Sequence, residues 1–144
     1  MAALFHIYVK FMVEITLTSI HLGTSRRVVT LGLDGRDLAY EFLADLAKSD
    51  RPAAESLKNR IKTVADHDHY HHNEQIFRGV GDGLYEFKAK RIRLYAFYEQ
   101  LPGENPQLII ATNGGTKNNK KEQRTDIARA KSLRAQYLAA KKTL

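Results

Sequence analysis

The sequence predicts an α+β domain: two amphipathic helices packed on a mostly antiparallel sheet of three to five strands, followed by a basic C-terminal helix. Three observations predict it. Short β-branched and aromatic runs lie on both sides of a helical stretch. Two apolar stripes of helical spacing occur between residues 38 and 64. A Lys- and Arg-rich stretch with a single apolar seam closes the chain. With 144 residues, 43% of them hydrophobic and 27% charged, the chain suits one folded domain with a modest core.

Residues 4–9 and 11–17 read as one or two strands, and HLGTS at 21–25 as a break. Residues 1–25 read as a peripheral extension of the domain, and Met12 offers a second start. RRVVTL at 26–31 is a further strand. The glycines and aspartates of LGLDGRD then make a turn, and Asp34 or Asp37 can accept the free amides of a new helix. Leu38, Phe42 and Leu46 recur every fourth residue, giving that helix one apolar stripe. SDRP at 49–52 ends it and starts the next, with proline in the first turn. Ala54, Leu57, Ile61 and Val64 form the second stripe.

After a glycine-rich approach at Gly79, Gly81 and Gly83, strands are expected at 84–88, 92–98 and 108–111. The last is apolar on both faces, so it belongs in the middle of the sheet, and TNGGT at 112–116 ends it. Asn119 can cap the final helix with Glu122 completing a capping box. Ile127, Ala130, Leu133, Tyr137 and Leu138 make its seam.

Charge narrows the function. The net charge is +7, but residues 1–87 balance to −2 and residues 88–144 to +9. That polarity suits a polyanion, an acidic protein, or a basic surface that serves only solubility. No cysteine is present, which excludes disulfides, thiolate metal sites and a cysteine nucleophile, and fits a cytoplasmic location. No apolar run approaches a membrane span, and the N-terminus lacks the pattern of a signal peptide, so no membrane partner is expected. The phosphate loop, the HExxH metalloprotease motif and the GxSxG nucleophile elbow are all missing. The cluster DHDHYHHN at 66–73 holds four histidines, His67, His69, His71 and His72. Their spacing puts no four on one side of a regular element, so a solvated loop is the reading and no metal is assigned. A catalytic histidine would follow if that loop folded over a cleft.

What remains is cations on strands with aromatics between them, in FRGVGDGLYEFKAKRIRLYAFY at 77–98. Cations bind phosphates and stabilise a pentacoordinate phosphorane, while aromatics stack on unpaired bases. Alternation along the strands puts Glu86 and Lys88 on one face of the first, and Arg93 and Tyr95 on one face of the second.

This stretch resembles the RelE/ParE superfamily of toxins, in its phage-derived HigB-like branch of type II toxin–antitoxin systems. The similarity lies in an apolar-Arg-Gly segment, the LYEFK strand and the RLYAF strand after it. It extends to IIATNGGTKNNKKEQRTDIARAKSLRAQYL and to AYEFLADLAKSD, covering roughly residues 26–140.

The resemblance implies a toxin that cuts mRNA, with ribosome dependence left open. The cut would need neither metal nor other cofactor: a 2′-hydroxyl attacks the adjacent phosphate. It implies Lys88, Arg93 and Lys117 as catalytic, with Arg93 facing the cleft, so that alanine there would abolish activity and leave the fold intact. Glu86 stands where some members carry a first catalytic lysine, and is either a general base or a mark of weaker activity. Lys120, Lys121 and Arg124 are expected at RNA. Tyr95 is expected either to stack on a base or to lie in the core. Lys90 and Arg91 are expected either at RNA or as hydrated turn cations. The implied partners are mRNA and a cognate antitoxin with a helix-turn-helix, operator DNA being reached only through that antitoxin. The alternative is a non-catalytic binder on the same fold: a topoisomerase-inhibiting ParE-like toxin, or a phage nucleic-acid-binding protein.

Overall fold

Two mostly buried strands pair side by side near the middle of the sheet, where elements cover both faces. A computed structural model describes residues 13–67 and 73–142. Its strands are β1 (Ile15–Leu22), β2 (Arg26–Leu33), β3 (Phe77–Gly81), β4 (Leu84–Ala89), β5 (Ile92–Glu99) and β6 (Gln107–Thr116). Helices α1 (Leu38–Ser49) and α2 (Arg51–Asp66) join β2 to β3, and α3 (Lys120–Lys141) follows β6. The sheet order is β1-β2-β6-β5-β4-β3. Only β2 and β6 run parallel; the other neighbours are antiparallel.

The architecture is α+β, with six strands where three to five were expected. The helices divide between the faces. Leu46 of α1 and Leu57, Ile61 and Val64 of α2 bury against Phe77, Phe87, Leu94 and Ile109. On the opposite face, Ala130 and Tyr137 of α3 bury against Leu31, Tyr95, Phe97 and Ile110. Each fully buried aliphatic or aromatic side chain contributes roughly 1.5–3 kcal/mol. Among the described residues no helix is long and apolar enough to cross a membrane.

Local chemistry sets the helix starts. Asp37 caps α1, accepting from the Tyr40 amide at 2.9 Å and from Thr30 Oγ1 at 2.6 Å. Asp50 caps α2 through the Ala53 amide, and Asn119 caps α3 through the Glu122 amide.

Three boundaries depart from the sequence reading. β1, within the stretch read as an extension, is one edge strand of the sheet and runs to Leu22, with a register shift between Ser19 and His21. Residues 77–81 are a strand, not a loose approach. They pair with β4 through a turn at Asp82 and Gly83, which take φ of 55° and 77°. β6 continues through TNGGT to Thr116, because its glycines admit neighbours from both faces. A Cβ on Gly114 would collide with the Phe42 ring of α1, and one on Gly115 with the Asp126 carboxylate of α3.

Two anchors hold α3 down. At its C-terminal end, Tyr137 Oη donates to Glu99 Oε2 at 2.7 Å, and Lys141 Nζ reaches the same oxygen at 2.8 Å. Nearer its middle, Lys131 pairs with Asp82 at 2.7 Å, and the Arg134 guanidinium lies over the Phe97 ring.

Candidate nucleic-acid interface

The α3 side of the sheet is apolar across β2, β6 and the middle of β5, but turns polar where β3, β4 and β5 meet the start of α3. Strand register makes this corner. Arg78 stands opposite Glu86, Glu86 opposite Tyr95, and Lys88 opposite Arg93. Arg93 in turn stands opposite Gly115, close to Lys117 at the end of β6.

Glu86 is the centre of the corner and is 0% exposed. A carboxylate so buried needs paired charge and hydrogen bonds. Its Oε1 accepts from Arg78 Nε at 2.8 Å and lies 3.6 Å from Arg93 Nε. Its Oε2 faces Gln123 Nε2 of α3 at 3.4 Å.

Arg93 is only 6% exposed. Its Nη1 donates to the carbonyl oxygens of Lys90 at 2.7 Å and Ile92 at 3.0 Å. This corrects the expectation that Arg93 would be dispensable for folding: it braces the β4–β5 turn from beneath. Its Nη2 has no partner among the described residues, and neither do the two Nη groups of Arg78 or Lys117 Nζ.

Lys88 is half-buried, with Nζ 3.4 Å from the Glu74 carbonyl oxygen. Burial, then the charges of Arg78 and Arg93, hold its ammonium below the usual lysine range. Glu86 pulls the other way, and Lys117 adds to the depression. Four cations thus share one corner with one buried carboxylate.

The other expected residues are placed as follows. Tyr95 is 1% exposed and part of the α3-side core, so its ring offers no stacking platform. Its phenol is pushed up to about 12 by burial and by the charges of Glu86 and Asp126, against the opposing pull of Arg93 and Gln123. Lys90 and Arg91 are exposed in the β4–β5 turn, Lys90 with φ of 55°. Lys117 is half-buried, and its amide donates to the Arg91 carbonyl oxygen at 2.7 Å. Lys120, Lys121 and Arg124 are exposed in the first turns of α3, just beyond it.

Two residues of the corner escaped the sequence reading as site residues. Arg78 had a signal, since it is the arginine of the Arg-Gly segment in the resemblance. Gln123 had none, because only the docking of α3 brings it to Glu86. Of the histidine cluster, His69, His71 and His72 lie outside the described residues. His67 is exposed, with Nδ1 2.9 Å from the Thr63 carbonyl oxygen.

No protein-family model, curated protein or solved structure matches the chain.

Proposed function

We propose that this chain is a cytoplasmic, metal-independent endoribonuclease, the toxin component of a toxin–antitoxin pair that cuts mRNA. One observation carries the reading. Arg78, Lys88, Arg93 and Lys117 gather at one corner of the sheet, and several of their donors are uncommitted. Preorganised N–H donors of this kind stabilise charge that grows on phosphate oxygens. The resembling segments also fall in order on α1, β3, β4, β5, β6 and α3.

In the proposed reaction the 2′-oxygen attacks the neighbouring phosphorus and the P–O5′ bond breaks. The 2′-hydroxyl proton passes to the deprotonated form of Lys88, a form that burial and the neighbouring cations make more accessible than in a free lysine. Arg78 and Arg93 hold the non-bridging oxygens. The leaving 5′-oxygen takes a proton from Lys117. A 2′,3′-cyclic phosphate and a 5′-hydroxyl result. Lys120, Lys121, Arg124, Lys90 and Arg91 extend the basic surface along the RNA backbone.

The test is to incubate the purified chain with RNA, with and without ribosomes, and to map termini. Cyclic-phosphate ends that vanish with a 2′-deoxy residue at the cut support the reading. Intact RNA in both conditions ends it.

A second reading is favoured by the burial of Tyr95 and the ion pairing of Glu86, which remove a base-stacking ring and a free carboxylate base. It is a non-catalytic binder, such as a topoisomerase-inhibiting toxin. Growth arrest with intact transcripts and DNA-damage signalling would select it. A neighbouring gene for a helix-turn-helix protein would supply the antitoxin under either reading.

A further inference from the structure

We infer that Glu86 and Gln123 form a positioning pair that sets the Arg78 and Arg93 guanidinium groups for a phosphate, making the docking of α3 a condition of activity. This rests on the ribonuclease reading of the corner.

The two oxygens of Glu86 do different work. Oε1 is the side facing both arginines, with Arg78 Nε at 2.8 Å and Arg93 Nε at 3.6 Å. Oε2 faces Gln123 Nε2 at 3.4 Å. A carboxylate held at one oxygen can still rotate; held at both, it fixes a plane. The amide of Gln123 thereby biases where Oε1 points; Oε1 sets the Arg78 plane through its hydrogen bond, and acts by charge on Arg93, whose Nη1 the Lys90 and Ile92 carbonyls already hold.

Burial sharpens the effect. Glu86 is 0% exposed, so water cannot replace a lost partner cheaply. Arg93 Nε is buried and within hydrogen-bonding distance of no acceptor. Its nearest carboxylate oxygen stands 3.6 Å away, a gap that a small rotation of Glu86 would close or widen. The guanidinium fork is rigid, so orienting Nε orients Nη2, the nitrogen without a partner. Gln123 also stands beside the buried Tyr95 phenol, whose shift it opposes.

Glu86 touches no substrate in this scheme, so it acts through the arginines and is not itself a base. The two roles separate in kinetics. Glu86→Gln keeps the shape but leaves the corner one unit more positive. Ground-state RNA binding then holds or tightens, while misplaced donors lower kcat, by about 100-fold for a displacement on the order of 1 Å. Gln123→Ala is expected to lower kcat in the same direction with KM unchanged. The double variant Glu86→Gln with Gln123→Glu restores net charge and an amide–carboxylate contact, but moves the carboxylate away from the arginines. Positioning predicts that kcat stays low in it.

A kcat near wild type in Glu86→Gln, or its full rescue in the double variant, would overturn the inference. A parallel loss of kcat and rise of KM with a lower melting temperature would also overturn it, as the mark of a structural role. Arginine Nε–H NMR signals give a readout that does not depend on cleavage. Inorganic phosphate is expected to shift the Arg78 and Arg93 signals together, with one apparent Kd, in the wild-type chain, and to shift them out of step, with different apparent Kd values, in Glu86→Gln. If the wild-type chain cuts no RNA but these signals behave as stated, the ribonuclease reading fails and the positioning pair stands. If the chain cuts RNA and the signals are indifferent to Glu86, the reverse holds.

Discussion

Lys88 and Arg93 are directly opposed across β4 and β5, two like charges on one face of neighbouring strands. Such a pair works against folding. Arg78 and Lys117 add to the same repulsion, and the single carboxylate of Glu86 offsets only part of it.

Replacing Lys88 by Met is therefore expected to raise stability by roughly 0.5 kcal/mol at neutral pH while abolishing cleavage. The pH dependence follows from the direction of the shift. The folded chain holds the Lys88 proton less tightly than the unfolded chain does. As pH rises from the folded value of Lys88 toward the ordinary lysine value of 10.5, this group's contribution to stability increases. Thermal melts of both chains across alkaline pH check it: Lys88→Met should lack that rise.

Arg93→Ala is expected to cost both activity and fold. It removes the brace under the Lys90 and Ile92 carbonyls and leaves Glu86 paired on one side, a loss of about 3–5 kcal/mol for a broken buried pair. Arg93→Lys keeps the charge but not the fork, and should fold better than alanine while remaining inactive. Urea unfolding alongside RNA cleavage separates the two effects.

Gly114→Ala and Gly115→Ala are expected to differ. At Gly114 the new Cβ meets the rigid Phe42 ring, for a cost of about 1–3 kcal/mol. At Gly115 it meets the Asp126 carboxylate, which can swing aside. A melting temperature lowered more by Gly115→Ala than by Gly114→Ala would contradict this packing.

Acid sensitivity should be traceable to Glu99. Burial alone would raise its pKa, but Lys141 and Tyr137 bind the ionised form and carry the net shift downward. Its stabilising contribution is therefore present above the unfolded carboxylate value and is lost as pH falls through the lower, folded one. Tyr137→Phe leaves a buried acceptor short of a donor, costing about 1–3 kcal/mol near neutrality and less at low pH.

RNA affinity should fall with salt, with a log–log slope near −0.7 per phosphate contact for a single strand. Lys120→Gln and Lys121→Gln should each make the slope shallower by about that amount. Lys58→Gln, on α2 across the sheet, should leave it unchanged. Titrations at several salt concentrations decide between them.

The α+β arrangement was legible because Leu57, Ile61 and Val64 recur at helical spacing and β-branched runs flank them. The Asp37 and Asn119 caps were legible from local chemistry alone. Residues 77–81 were misread because an edge strand with two glycines has little apolar signal; its partner β4 makes it a strand. TNGGT was misread for the opposite reason. Its glycines mark close approach by Phe42 and Asp126, and distant elements bring those side chains in. Within the corner, Lys88 and Arg93 could be put on their strands from alternation. The burial of Tyr95 and the contact of Glu86 with Gln123 depend on how α3 docks, and no local spacing encodes that.

The parallel pairing of β2 with β6 has a consequence for synthesis. Arg26 meets Gln107 across it, 81 residues later in the chain. At about 5–20 residues per second, a ribosome takes roughly 4–16 s to make the intervening stretch. During that interval the inner edge of β2 stays open. Lys117, and then α3 with Gln123, emerge only after β6 itself. The growing chain thus carries Arg78, Glu86 and Arg93 before the helix that aligns them, and the cationic corner is completed only after β6 and the start of α3 have been made.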